Sequence, residues 1–324
     1  MSSTGMRFFS LIFLLFFSLN IYAQIDQDQV QTFVSSYASK NNLSEQEVLD
    51  ILSSATFQPS IISKMDRPAE KKLYWDQYRK IFLTKERIDA GIEFMGKYQY
   101  VLQQVSKDTG VPQEIIASII GVETYFGKIM GTYKVLDALY TLSFAYPRRA
   151  KYFQSELEEL LNLAKKENLN LNDLKGSYAG AMGYCQFMPS SYRAYAVSFD
   201  QGNRDLVHSP EDAIASVANY LKMHRWKEGL PIASKANVSN TATIHDSNSP
   251  KVNNNVSYFV EKGYKPSNNW HPGAQVTLMK FESENQNEYW FGTENFYAIT
   301  RYNHSPLYAL AVFQLAEAIR DPNP

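Results

Sequence analysis

Apolar residues recur at three- and four-residue intervals along most of the chain, the spacing of amphipathic helices rather than strands. Over residues 43–52, Leu43, Val48, Leu49, Ile51 and Leu52 follow that spacing, with Ser44 placed to cap the helix and Glu47 three residues on. Ile88, Ile92, Met95, Tyr98, Tyr100, Leu102 and Val105 predict one long helix over 85–106. Between these two stretches, Phe57-Gln58-Pro59 and Arg67-Pro68 are breaks, and Tyr74-Trp75-Asp76-Gln77-Tyr78-Arg79 is an aromatic cluster. From Pro112 to Tyr220 the helical period returns, interrupted by a glycine-rich loop over 176–183. It then fails over 231–300, where Asn, Ser and Thr become common and short alternating runs such as 274–279 appear. There Gly292-Thr293-Glu294-Asn295 has the composition of a hairpin turn, and the segment reads as a small β-rich insertion. A last helix is predicted over 306–319, and no internal repeat is visible.

Composition narrows this picture. Hydrophobic residues make up 44% and charged residues 20% of 324, an ordinary globular balance. With 32 basic against 33 acidic residues, and the basic ones dispersed, no field draws the chain to nucleic acid. The 22 tyrosines are mostly core filling, but each also offers sugars an apolar face with a hydroxyl. Residues 1–23 read as a secretory signal: Arg7, an apolar run over 8–17, and Ala23 before a polar chain. The run falls short of the roughly 20 apolar residues of a bilayer span, which disfavours the alternative of an uncleaved anchor. The expectation is therefore secretion to the periplasm or cell envelope as a soluble monomer. Cys185 is the sole cysteine and so has no intramolecular disulfide partner; it reads as a small buried residue.

The first candidate for chemistry is Glu123. Pro112 suits the start of a helix and Glu114 complements its positive end. Ile116, Ile119 and Ile120 then form an apolar face, and Glu123, at +7, +4 and +3 from them, projects from it. A desolvated carboxyl at the negative end of a helix holds its proton more tightly, the condition for a general acid near neutrality. Gly121 and Gly127 bracket it and permit close approach. From the helix alone, a buried structural Glu paired with an Arg fits equally well.

Longer motifs break that tie. Gly121-Val122-Glu123-Thr124, Leu136-Asp137-Ala138-Leu139, Thr141-Leu142-Ser143-Phe144 and Tyr146-Pro147-Arg148-Arg149 follow one another in order. After them come Lys175-Gly176-Ser177-Tyr178-Ala179-Gly180-Ala181-Met182-Gly183 and Gln186-Phe187-Met188-Pro189-Ser190-Ser191-Tyr192. Ser216-Val217-Ala218-Asn219-Tyr220, Arg301-Tyr302-Asn303 and Ser305 complete the set. Together they resemble the lytic murein transglycosylase B family, from about residue 70 to the C-terminus and most weakly over 231–290.

The resemblance implies a mainly α fold: a lysozyme-like helical core with an additional helical region and a small β-rich insertion. The corresponding parts are an N-terminal helical region over 24–110, the lysozyme-like catalytic core over 111–230, the insertion over 231–300, and a C-terminal helical segment over 301–324 that returns to the core. It implies Glu123 as the single catalytic acid and base. It places substrate-binding roles on Ser177, Gln186, Asn303, the cleft tyrosines Tyr78, Tyr152, Tyr220, Tyr302 and Tyr308, and the tandem Arg148 and Arg149. The arginines suit lactyl or peptide carboxylates, with helix capping or an internal salt bridge to a carboxylate such as Glu156 as the alternative. The implied reaction is non-hydrolytic cleavage of the MurNAc-β-1,4-GlcNAc bond with a 1,6-anhydro-MurNAc end. The substrate then supplies its own nucleophile, whereas hydrolysing glycosidases use two carboxyl groups. Asp137 and Glu156 are the residues whose spatial position bears on that distinction. A muramidase-type hydrolase and an inactive peptidoglycan-binding module are the competing readings. Implied partners are peptidoglycan glycan strands and proteins of the cell-wall machinery.

One implied feature is weak. Many relatives carry a calcium loop after the Pro-Ser-Ser-Tyr motif. Here Ser198 and Gly202 stand at ligand positions, Arg204 brings positive charge, and only Asp200 and Asp212 survive as acidic candidates. No cofactor is expected, and calcium is doubtful.

Overall fold

The computed structural model describes residues 24–66 and 73–322. Residues 1–23, expected above to be a secretory signal, and the expected break at Arg67-Pro68 lie outside the described residues.

Local capping chemistry sets the first helices. α1 (Gln27–Asn41) starts at Asp26, whose carboxylate accepts from the Gln29 amide, and stops at left-handed Asn42. α2 (Glu45–Leu52) opens on the capping box expected at Ser44: its hydroxyl accepts from the Glu47 amide while the Glu47 carboxylate accepts from the Ser44 amide at 2.7 Å. α3 (Pro59–Asp66) and α4 (Trp75–Phe82) follow.

The helix expected over 85–106 is two helices, α5 (Lys85–Lys97) and α6 (Gln99–Thr109), divided at Tyr98 with φ −108° and ψ 25°. Their partners explain the division. α5 packs on the central α7 (Gln113–Thr124), while α6 packs mainly on a helix further along the chain, α11 (Pro210–Met223), so one straight rod does not serve both. After α7 come β1 (Tyr133–Lys134), α8 (Val135–Ala145), a 3-10 turn at Pro147–Arg149, and α9 (Ala150–Glu167). β2 (Lys175–Gly176) pairs antiparallel with β1 and leads through the glycine-rich loop to α10 (Pro189–Tyr195) and α11 (Pro210–Met223).

Five strands then build one antiparallel sheet. β3 (Ala233–Val238), β4 (Asn254–Asn255), β5 (Tyr264–Pro266), β6 (Gln275–Phe281) and β7 (Glu288–Gly292) lie in the spatial order β4-β6-β7-β3-β5. α12 (Val256–Glu261) covers one face. Along β6 the residues alternate, Val276 and Leu278 entering the sheet's own small core and Met279 and Phe281 entering the main helical core. Because both faces are covered, Thr277 and Met279 are as buried as Val276 and Leu278.

The hairpin expected at Gly292–Asn295 is a strand-to-helix junction. Gly292 is the last residue of β7, paired with both Ala233 and Thr277, and Thr293 caps α13 (Glu294–Tyr302). The buried Asn295 side chain accepts from the Lys227 amide at 2.8 Å and donates to the carbonyls of Lys227 and Leu230, which commits the segment to the helical body. α14 (Pro306–Arg320) closes the chain and packs on α4, α5 and α7. The fold is mainly helical with small sheets, as expected. Among the described residues, no helix is long and apolar enough to cross a membrane.

Candidate active site

The site is built at the C-terminal end of α7. Ile116, Ile119 and Ile120 are fully buried and Glu123, the penultimate residue of the helix, is half-buried. The helix stops abruptly because Tyr125, Phe126 and Gly127 all adopt left-handed backbone, at φ 52°, 58° and 86°. Two bulky residues in that region are strained unless their surroundings hold them. Here the Phe126 ring packs on Phe94 and lies so close to Gly121 that a Cβ there would come within 2.5 Å of it. The Tyr184 ring fills the space beside Gly127 in the same way. Thr124 accepts the Gly127 amide at 3.0 Å. Arg87 lies 4.6 Å over the Tyr125 ring and donates Nη1 to the Gly121 carbonyl at 2.7 Å. The close approach that the two glycines permit is therefore made by aromatic rings of the protein itself.

Glu123 Oε1 accepts a 2.7 Å hydrogen bond from the hydroxyl of Tyr308, a buried residue in the first turn of α14. The Tyr308 ring stacks on Tyr302, with centroids 6.4 Å apart, and the Tyr302 hydroxyl donates to the Cys185 carbonyl at 2.7 Å. Phe187 and Tyr220 pack on the Tyr302 ring at 5.7 and 4.8 Å, and Tyr220 donates to the Arg301 carbonyl. Tyr78, buried on α4, faces the same group. Burial first, then the charge of Glu123, pushes the ionisation of Tyr308 well above the usual tyrosine range. Burial does the same to Tyr302, followed by Cys185 and Glu123. Burial also pushes up the Cys185 thiol. All three remain neutral donors at working pH.

The glycine-rich loop carries two further candidates. Ser177 Oγ accepts from the amides of Ala179 at 3.2 Å and Ala181 at 3.1 Å, which folds the loop around it and leaves its proton to donate. Gly131 supports the loop from below: a Cβ there would lie 2.0 Å from the Gly176 carbonyl oxygen. Gln186, at φ 48°, donates its side-chain amide to the carbonyls of Met130 at 3.1 Å and Gly183 at 3.0 Å. Its donors are thus spent inside the fold, and its Oε1 is what it can offer a ligand. Asn303 terminates α13 in extended backbone, next to Tyr302.

Arg148, Arg149 and Tyr152 form a second group. Arg148 pairs with Asp66, while Arg149 lies 4.4 Å over the Tyr152 ring and 5.1 Å over Phe153. Glu156 is not the partner of Arg148. It accepts from the amide and hydroxyl of Ser190 at 2.9 and 2.6 Å and caps α10. Asp137 accepts from the Thr56 amide and from Gln58. Both carboxylates raised as neighbours of Glu123 are therefore committed to structural hydrogen bonds.

The loop over 197–212 does not fit a calcium ion. The two oxygens of Asp212 accept from the amides of Phe199 and Asp205, each at 2.8 Å. Asp200 accepts from Ser198 at 2.7 Å and the Gly202 amide at 2.9 Å, contacts that hold its carboxyl below the usual range. Arg204 reaches out of the loop to α9 and the end of α10, paired with Glu167 and donating to the Ala196 carbonyl. A cation would have to displace the backbone amides that already hold Asp200 and Asp212. Thermal melting should accordingly be unchanged by millimolar calcium or by chelator; a calcium-dependent rise of several degrees, the mark of about 1 kcal/mol or more of linked binding, would show that the loop does bind it.

Sequence reasoning missed Arg87, Thr124 and the Cys185 carbonyl. Arg87 belongs to none of the motifs, and carbonyl acceptors leave no trace in side-chain patterns.

Comparison with known proteins follows the same lines. Residues 26–317 match the family model described as Transglycosylase SLT domain. The chain is 41% identical over 298 residues to the membrane-bound lytic murein transglycosylase B of Escherichia coli (strain K12), covering 89% of this chain and 82% of that one. Among solved structures, soluble lytic transglycosylase SltB1 from Pseudomonas aeruginosa superposes with a TM-score of 0.83 at 41% identity, covering 91% of this chain and 99% of that chain. The Escherichia coli lytic transglycosylase Slt35, in complex with calcium, gives 0.83 at 40%, covering 94% and 97%.

Proposed function

The chain belongs to the lytic murein transglycosylase B family, and on that basis we propose that it cleaves peptidoglycan glycan strands with Glu123 as the one catalytic carboxyl. The observation that carries this reading is the Tyr308–Glu123 hydrogen bond at the end of α7, with Asp137 and Glu156 engaged elsewhere. Protonated Glu123 gives its proton to the glycosidic oxygen between MurNAc and GlcNAc, and the C1–O bond breaks with the electron pair leaving on that oxygen. The Glu123 carboxylate then takes the proton of the muramyl C6 hydroxyl as O6 closes onto C1. The acetamido group assists at C1 between the two steps, held by the Ser177 hydroxyl. No water is consumed, so one carboxyl that is alternately acid and base suffices.

Tyr302, with the buried Tyr308, Tyr220 and Tyr78 packed behind it, backs the sugar site; Asn303 and Gln186 Oε1 meet hydroxyl and amide groups. Arg148 and Arg149, with Tyr152, form an outer group suited to lactyl or peptide carboxylates. The enzyme acts in the periplasm or cell envelope after loss of residues 1–23. Mass spectrometry of muropeptides released by purified protein tests the reaction type. Products with anhydro ends, one water lighter than hydrolytic ones, are expected; reducing muramyl ends would make it a hydrolase.

Tyr308→Phe removes a hydrogen bond to a group that carries charge during the cycle, an interaction worth about 1.5–3 kcal/mol. A kcat lower by about ten- to a hundredfold, with KM little changed, is expected from steady-state turnover of isolated strands. An unchanged kcat would mean that Tyr308 does not orient Glu123.

A further inference from the structure

Two recesses on the flank of the five-stranded sheet take no part in the reaction described above. The first, of about 400 Å³, is bounded by β3, β7 and the amide-rich loop over 283–287. The second, of about 430 Å³, opens between Trp290 and the last turns of α14. Lys235 lines both, so they adjoin as one trough, and each is of small-ligand size. The trough is set apart from the catalytic group. On α4, Tyr78 is buried toward the site while Asp76 and Arg79 line the recesses. On α14, Tyr308 meets Glu123, whereas Glu317 of the trough lies nine residues on, about 13 Å along the helix axis.

Its chemistry suits an uncharged ligand. Glu288 is held by Arg79 at 3.7 Å and Lys235 at 3.4 Å, and the Trp290 indole donates to it at 2.9 Å. Arg320 is paired with Glu317 and Glu114. The cations of the trough are thus answered by carboxylates, which leaves little pull on a phosphate or a nucleic acid. What remains is amide. Asn237, Asn285 and Gln286 stand exposed on the rim and offer both donors and acceptors. Half-buried Tyr289 in the first recess and Phe313 in the second add apolar ring surface. The fold also leaves Ser283 Oγ and Gln314 Oε1 without a hydrogen-bond partner among the described residues, one beside each recess. Such a cost is recovered when a ligand draws the side chain toward it. Amides around rings, with charge cancelled, match the hydroxyl and acetamido groups of an amino-sugar strand. We propose that the trough binds a second stretch of glycan, apart from the one held at Glu123, and so keeps the enzyme on the wall between cuts. This rests on the peptidoglycan reading above.

The test pairs Gln286→Ala with Gln314→Leu, which removes one amide from each recess and keeps the volume of the partly buried side chain. Calorimetric titration of tri-N-acetylchitotriose into the full chain carrying Glu123→Gln should count two sugars bound, and one once the pair is added. With Glu123 restored, the pair should lower kcat/KM about tenfold on whole sacculi and less than twofold on a soluble tetrasaccharide, and 1 M salt should leave that contrast in place. One sugar bound before the pair is introduced, an equal loss on both substrates, or no loss on either overturns the proposal. Failure of the unaltered enzyme to cut either substrate would instead sink the functional reading itself.

Discussion

Glu123→Gln is expected to lower kcat by on the order of 10³-fold or more while leaving binding to isolated glycan strands within a few-fold of the parent. The substitution keeps the side chain's size and lets an amide oxygen accept from Tyr308, so the packing at the end of α7 is preserved. What it removes is the only step a neutral amide does not perform: giving up a proton and taking one back. Tyr302, Tyr308 and Cys185 offer no substitute, because burial pushes all three ionisations up. Turnover measured by release of soluble muropeptides, alongside sedimentation with purified sacculi, separates the two effects. Lysis at more than a tenth of the parental rate would refute Glu123 as the catalytic group.

Trp75→Ala should cost about 3–5 kcal/mol of stability, read from urea denaturation of the mature chain. Trp75 is fully buried, its ring packs on Phe281 of β6 at 5.7 Å, and its amide donates to the Glu282 carbonyl at 2.7 Å. These contacts pin the sheet to α4, and α4 carries Tyr78 toward the site. Truncation leaves a ring-sized void between two packed layers that do not collapse into it freely. Trp75→Phe, which keeps a ring against Phe281, should lose less than half as much. A loss below 1 kcal/mol for the Ala variant would mean that the two layers are held together elsewhere.

The sequence was most informative where structure is local. Ser44 and Glu47 are three residues apart, and their capping box is legible because both partners lie in one turn. The apolar run that ends at Glu123 is equally plain, since α7 is buried nearly all round. Errors arose where a distant partner decided the outcome. The period over 85–106 is continuous, yet the chain divides at Tyr98 because its two halves face different helices. Gly292-Thr293-Glu294-Asn295 has turn composition, but Asn295 is claimed by carbonyls some 65 residues earlier. In the site, Tyr308 is 185 residues from the carboxylate it holds, and no periodicity links them; only the family motifs brought both into view. Arg87 had neither signal. The spent amide of Gln186 and the Asp66 partner of Arg148 likewise depend on neighbours that spacing does not reveal.

The borders of the five-stranded sheet carry a last consequence. β4 and β5, at its two margins, are two and three residues long, whereas β6 in the interior has seven. A foreign strand arriving at either margin finds only a stub of unpaired backbone, too little to template further growth. Such stunted borders let a tyrosine-rich protein of nearly zero net charge resist edge-to-edge association without relying on mutual repulsion between its copies.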